Sequence, residues 1–293
     1  MNLREYYENK GYVVVNNLIS TELIDRVVTL YKRDIVQSKY PFFRQNTNAY
    51  EPNELNEFGY VKQSFLDIHD YYKFTEFSTA AKEIFFSQEI QKALHYLINS
   101  NSFNLMQTML FDANTETPPH QDWWYLDTVP NGNLIAAWIA LEDIDERAGR
   151  FYALPESMKV DMHSDVPNLN HSQWLKRIKM YVDTHRDEIK APELKKGDVL
   201  FWNSRTIHGS LQTVDGSFSR KSLTAHYLPS EYNFGNLFTT KNHIKYQTYK
   251  DMKYYRNQPD YSLMNRLKFS IKNFVYDSPR LLKIMRKFQT RLR

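Results

Sequence analysis

Between residues 103 and 228 the chain is cut into short runs of β-branched and aromatic residues, separated by turn signals instead of long helical periods. The runs fall at 103–111, 134–141, 150–154, 198–202 and 222–228. Pro118-Pro119, Asn131-Gly132-Asn133, Ala148-Gly149, Lys196-Gly197-Asp198 and Asp215-Gly216 punctuate them. A parallel sheet needs a helical crossover between strands, so this pattern predicts a mainly β fold, a sandwich or jelly roll, with α-helices at the periphery. Upstream, Gly11-Tyr12-Val13-Val14-Val15 predicts a strand. Ser20 can cap a helix over 20–36, where Leu23, Ile24, Val27, Val28, Leu30 and Tyr31 recur at helical spacing. One or two further helices are predicted over 77–99. The polar stretch 156–190, with a helix around 172–182, reads as an insertion between strands that forms part of a lid.

Aromatics make up 15% of the 293 residues while glycine numbers only 8, which excludes low-complexity disorder. Cysteine is absent, which excludes a disulfide framework, a thiolate metal site and a cysteine nucleophile. The N-terminus lacks an apolar secretion core and no run is long and apolar enough to span a bilayer, so the expected location is the cytoplasm. The net charge of +4 hides a split. Residues 241–293 carry 14 Lys/Arg against three acids, a net of +11, which leaves −7 for the rest of the chain. Ser278-Pro279 predicts the start of a basic amphipathic helix, with Leu281, Leu282, Met285, Phe288 and Leu292 on one face. Such a helix suits a buttress against the acidic body or contact with an anionic membrane surface. Nucleic-acid binding is not expected, since no recognised motif accompanies the charge. The expected organisation is a β domain over 1–230 and a basic, largely helical extension over 231–293.

His120-Gln121-Asp122 follows a strand, and His208 lies 86 residues beyond the Asp. Two imidazoles and one carboxylate on one face of an octahedral ion form the triad of non-haem Fe(II) oxygenases. In an extended segment residues i and i+2 point the same way, so His120 and Asp122 can reach one ion. The pattern alone is weak: His163-Ser164-Asp165 and His185-Arg186-Asp187 also match it, inside the polar insertion and without flanking strands. Arg220 follows His208 by twelve residues. Its planar fork matches a carboxylate bidentately, so it reads either as an anchor for a dicarboxylate or as an exposed strand arginine. Lys221 points to the opposite face and Ser222 shares that of Arg220.

These residues resemble the phytanoyl-CoA dioxygenase family of Fe(II)- and 2-oxoglutarate-dependent oxygenases. The resemblance spans residues 8 to 230. It rests on Gly11-Tyr12-Val13-Val14, Thr117-Pro118-Pro119-His120-Gln121-Asp122, Ala137-Trp138-Ile139-Ala140-Leu141-Glu142-Asp143-Ile144 and Ala148-Gly149-Arg150-Phe151. Lys196-Gly197-Asp198-Val199-Leu200-Phe201-Trp202, His208-Gly209-Ser210 and Arg220-Lys221-Ser222 complete it. It implies a double-stranded β-helix core, iron on His120, Asp122 and His208, and the 5-carboxylate of 2-oxoglutarate on Arg220. Trp138, Gln121 and Ser222 match positions beside the cosubstrate. The implied activity is hydroxylation of an unactivated C–H bond of a small molecule (a lipid-linked, sugar or natural-product precursor) with release of succinate and CO2. Where relatives read Pro-Gly-Ser-His, this chain has Pro155-Glu156-Ser157-Met158.

Gln107 and Met109 would line the pocket if their strand parity faces inward. Trp123, Trp124 and Tyr125 would border the entrance, where a ring can stack on substrate. The alternative class is a metal-binding cupin-like protein that binds a ligand or, with zinc, hydrolyses one. Arg220 and Trp138 speak against it, since hydrolysis needs no dicarboxylate anchor.

Overall fold

The computed structural model describes residues 2–47, 49–164 and 169–255, together with 263, 264, 267, 268, 271 and 278. The chain begins α1 (Leu3–Lys10), β1 (Tyr12–Val15), α2 (Thr21–Leu30), β2 (Phe42–Arg44), β3 (Ala49–Glu51), β4 (Phe65–Leu66), α3 (Thr75–Phe85) and α4 (Gln88–Ile98). Then come β5 (Phe103–Phe111), β6 (Asp127–Val129), β7 (Ile135–Ala140), β8 (Phe151–Ala153), α5 (His171–Thr184), β9 (Val199–Asn203), β10 (His208–Ser210) and β11 (Ser222–Pro229). Three short strands close it: β12 (Asn233–Gly235), β13 (Tyr246–Tyr249) and β14 (Met252–Tyr255).

The main sheet runs β1-β9-β7-β11-β5-β14-β13, with β4 also on β5. Smaller pairs, β10 with β8 and β12 with β6, face it. Alternation sorts the main sheet into two faces. Ile135, Ala137, Ile139, Val199, Phe201, Leu223 and Ala225 share one core with Ile24 and Val27 of α2, Phe77 and Ile84 of α3 and Leu94 of α4. Ala136, Trp138, Ala140, Leu200 and Trp202 point the other way, into a second core closed by Phe151 and Ala153 of β8. Thus β7 is buried at all six positions, which explains its unbroken apolar sequence. The second core is the inside of the jelly roll.

Local chemistry sets the helix ends. The Ser20 and Ser87 hydroxyls accept from the amides of Leu23 and Ile90 and cap α2 and α4. The expected helix over 20–36 is α2 continued by a π-helical turn, Tyr31–Val36. Asn2 caps α1, an element the apolar pattern did not signal because only Tyr7 on it is buried.

Two expectations need correction. Strands do not stop after Pro229: β14 runs parallel to β5 and β12 antiparallel to β6, so the β domain continues to Tyr255. Met252 and Tyr254 of this hairpin sit in the helix-side core, Tyr246 and Tyr255 pack on the cluster of Met106, Leu228 and Phe234, and the exposed Thr248 and Lys253 interrupt the apolar pattern. A separate helical unit beginning at 231 is therefore excluded for residues 231–255. The helix expected from Ser278-Pro279 lies outside the described residues. Among the described residues no helix is long and apolar enough to cross a membrane.

Candidate metal centre

His120 and His208 are brought together by their own backbones. Each amide donates to the other's carbonyl at 3.0 Å, and the rings stand 4.3 Å apart between centroids. Gln121 is extended (φ −121°, ψ 137°), so Asp122 returns to the side of His120 before a 3-10 turn begins. Asp122 Oδ1 lies 3.7 Å from His120 Nε2 and 3.5 Å from His208 Nε2. Their ligand atoms all lie within 4.8 Å of one another, the single such group among the described residues. The other two motifs form no such group: His163 Nδ1 faces Asp161, His185 Nδ1 meets the Tyr181 carbonyl, and Asp165 lies outside the described residues.

Hydrogen bonds set the tautomers. His120 Nδ1 donates to the Pro118 carbonyl at 2.9 Å and His208 Nδ1 to that of Thr206 at 3.0 Å. Both Nε2 lone pairs are thereby left toward Asp122, as a metal requires. Burial pushes His208 down to about 4, so it is a neutral ligand at neutral pH. Burial alone would raise Asp122, but His208, His226 and His120 more than offset it and hold the carboxyl well below its ordinary range. Its outer oxygen, Oδ2, accepts from Trp202 Nε1 at 2.8 Å and faces His226 Nε2 at 3.4 Å.

The inner face of the main sheet reads as three cross-strand rows. Trp202, Ala136, His226 and Gln107 form the first; Leu200, Trp138, Thr224 and Met109 the second; Ala140, Ser222 and Phe111 the third. Gln107 and Met109 therefore do face inward. Arg220 continues from the third row and is 2% exposed. It donates to Ser210 Oγ at 3.0 Å and the Gly149 carbonyl at 3.3 Å, while Nε has no hydrogen-bond partner. Ser210 follows His208 by two positions on β10 and so shares its side. Gly149 sits at φ +79°, and a Cβ there would collide with the Asn114 amide and the Leu211 carbonyl, so glycine alone presents this carbonyl. The guanidinium lies over Phe111 and Trp138, at 5.7 and 6.0 Å. No acid among the described residues pairs with it, and burial pushes its pKa down to about 10.

The remaining expected residues divide. Gln121 is fully buried and both ends of its amide are used, donating to the Arg205 carbonyl and accepting from Trp123 Nε1 at 2.9 Å. It braces the loop, because the extended step that aims His120 and Asp122 inward aims Gln121 away. Trp123 is buried beneath Arg205 at 4.6 Å and is a packing residue, not an entrance residue. Trp124 stacks on Trp174 of α5 at 4.4 Å, with Phe238 edge-on at 4.8 Å. Tyr125 is 41% exposed, 5.9 Å from the His120 ring, and its hydroxyl meets His171 Nε2 at 2.7 Å. Ser222 is fully buried in the Arg220 strand, its hydroxyl on the Arg220 carbonyl.

Three contributors escaped the sequence reading. Ser157 Oγ accepts from the Ile207 amide at 2.8 Å and steadies the approach to His208. Trp202 and His226 hold Asp122. His226 was legible in principle, as the alternation Arg220, Ser222, Thr224, His226 puts it on the inner face. Glu156 occupies a left-handed position (φ +65°), and Lys10 and Lys159 engage its carboxylate.

Two imidazoles and one carboxylate on one face are the donor set of non-haem Fe(II) oxygenases, and His120, His208 and Asp122 present it here. The model of the phytanoyl-CoA dioxygenase (PhyH) family matches residues 7–222, and the chain belongs to that family. It is 24% identical over 238 residues to the peroxisomal phytanoyl-CoA dioxygenase of Bos taurus, covering 76% of this chain and 67% of that one. To phytanoyl-CoA dioxygenase 1 of Oryza sativa subsp. japonica it is 31% identical over 127 residues, 40% of each chain. Among solved structures it is similar to EctD from S. alaskensis with 2-oxoglutarate and 5-hydroxyectoine, with TM-score 0.58, 16% identity and coverage of 80% and 78%. The epimerase SnoN with Fe3+, alpha ketoglutarate and nogalamycin RO gives TM-score 0.57 at 17% identity, covering 79% and 84%. Those two likenesses speak for the fold.

Proposed function

We propose that this chain hydroxylates an unactivated C–H bond of a small molecule, consuming 2-oxoglutarate and O2 and forming succinate and CO2. When bound, Fe(II) together with the 2-oxo acid and O2 supplies the oxidising power. His120 Nε2, His208 Nε2 and Asp122 Oδ1 hold the ion. Arg220 takes the 5-carboxylate of 2-oxoglutarate, with Trp138 and Ser222 flanking it. The apolar walls formed by Phe151, Leu200 and Trp202 exclude water from the centre. One observation carries this reading: a guanidinium 2% exposed, without an acid partner among the described residues, two residues before the first inner-face position of β11. A buried charge without a counter-ion is costly, and the carboxylate of a dicarboxylate would offset that cost. Zinc-type hydrolysis offers it nothing.

At the entrance, Tyr125, Trp124 and Phe238 form an aromatic lip beneath α5, which acts as the lid. The substrate class this favours is one presenting an apolar or ring-shaped face to be stacked. The basic segment 278–293 would bring the enzyme to an anionic surface, and vesicle co-sedimentation of the full chain against one ending at residue 277 tests that role.

Anaerobic titration with Fe(II) and then 2-oxoglutarate tests the central reading. A weak visible band of the chelate and 2-oxoglutarate-dependent succinate release in air are expected. Absence of both would refute it.

A further inference from the structure

We propose that His226 is a positioning residue for the metal-ligating carboxylate, which it holds, jointly with Trp202, by the outer oxygen so that Oδ1 alone turns to the ion. The proposal rests on the reading of His120, Asp122 and His208 as ligands. The carboxyl torsion of an aspartate is soft, with a broad and roughly two-fold profile. A single donor to Oδ2 leaves the group free to rock about that bond. Two donors from different strands fix its plane. Trp202 supplies one from β9 at 2.8 Å, and His226 Nε2 stands on β11 at 3.4 Å. The two belong to one cross-strand row with Ala136 between them, and their rings meet nearly perpendicular (83°) at 6.0 Å. Ala136 is the small residue that lets the carboxylate sit in the notch between them.

Packing does not explain His226. The residue is 4% exposed, and its Nδ1 is buried with no hydrogen-bond partner. A buried polar atom left unpaired is destabilising, whereas a phenylalanine would fill the same slot without that penalty. What the imidazole provides is its other nitrogen, on Asp122. The chemical consequence concerns coordination number. If both carboxylate oxygens bound the ion, a chelating 2-oxo acid would fill the remaining positions and leave none for O2. Holding Oδ2 away keeps that position open.

The test uses Co(II) as the probe, with the full chain under anaerobic conditions, and reads metal affinity and the visible Co(II) spectrum before and after 2-oxoglutarate. His226→Phe removes the donor and keeps the ring. His226→Gln keeps a donor of similar reach. The expected result is that His226→Phe binds Co(II) at least about ten-fold more weakly, the usual size of such outer effects. Its spectrum should also differ from wild type once 2-oxoglutarate is added, while His226→Gln restores most of both. Should His226→Phe not fold, Trp202→Phe removes the partner donor and is read in the same way. Wild-type affinity and spectrum in whichever donor-less variant folds would overturn the proposal while leaving the ligand assignment standing. Failure of the wild-type chain to bind Co(II) at all would remove the ligand assignment, and this proposal with it.

Discussion

Arg220→Met separates the two things a buried guanidinium does. In the folded chain burial pushes the Arg220 pKa from 12.5 down to about 10. A proton held less tightly when folded than when unfolded is a cost to stability, fully present below the folded pKa, and here it comes to about 3 kcal/mol at neutral pH. Methionine keeps the apolar stem and removes that cost. It also removes the guanidinium's bonds to Ser210 Oγ and the Gly149 carbonyl, which at 3.0 and 3.3 Å fall at the low end for a charged donor, about 1.5 kcal/mol each. The two terms offset, so the ligand-free variant should melt within a few degrees of wild type. Toward 2-oxoglutarate nothing offsets the loss. Two charge-assisted bonds to the 5-carboxylate are worth about 4 kcal/mol together, roughly a thousand-fold in affinity. Wild type held with Mn(II) and 2-oxoglutarate at about 100 times its Kd gains about 2.7 kcal/mol, and the variant at the same concentrations gains essentially none. Differential scanning calorimetry with and without ligand measures both effects. A variant that melts several degrees lower without ligand, or that responds to 2-oxoglutarate as wild type does, refutes the argument.

Other substitutions test neighbouring parts. His208→Ala should abolish stoichiometric Co(II) binding in calorimetric titration, because the remaining imidazole and carboxylate leave the ion short of a ligand. Lys221→Ala should destabilise by about 3–5 kcal/mol in urea melts. Its ammonium lies 3.4 Å from the buried Asp112 and 3.3 Å from Glu142, and Ala leaves Asp112 unneutralised. His69 is buried and pushed down to about 3, mainly by desolvation, with Nδ1 on Thr108 Oγ1 and Nε2 on the Tyr255 carbonyl. The unfolded chain takes up this proton near 6.5 and the folded chain does not, so stability falls as pH drops from about 6.5 toward 3, by about 1.4 kcal/mol per unit per such group. His69→Gln should flatten that slope by one proton in melts at pH 5 and 7, and an unchanged slope would assign it elsewhere.

The five strand runs, both helix regions on the first hundred residues and the metal triad were legible because each is a local matter. Period-two alternation, serine caps and the i, i+2 geometry around Gln121 act over a few residues. What was missed acts over distance. Gln121's outward turn follows from that same local step, but whether Trp123 reaches the entrance depends on where Arg205 and the loop above it come to rest. Residues 246–255 become strands only because β5 offers an edge to pair with, and their own sequence carries too little apolar alternation to say so.

The residue types, taken alone, settle which atoms can bind a metal and which side chain can grip a dicarboxylate. They do not settle which oxygen of Asp122 faces the ion, or that Arg220 lies buried with its charge unmatched. Those are decided by cross-strand register, since one step of slip along β11 would turn Arg220 and His226 out of the barrel together, and register is fixed by the two cores that flank the sheet.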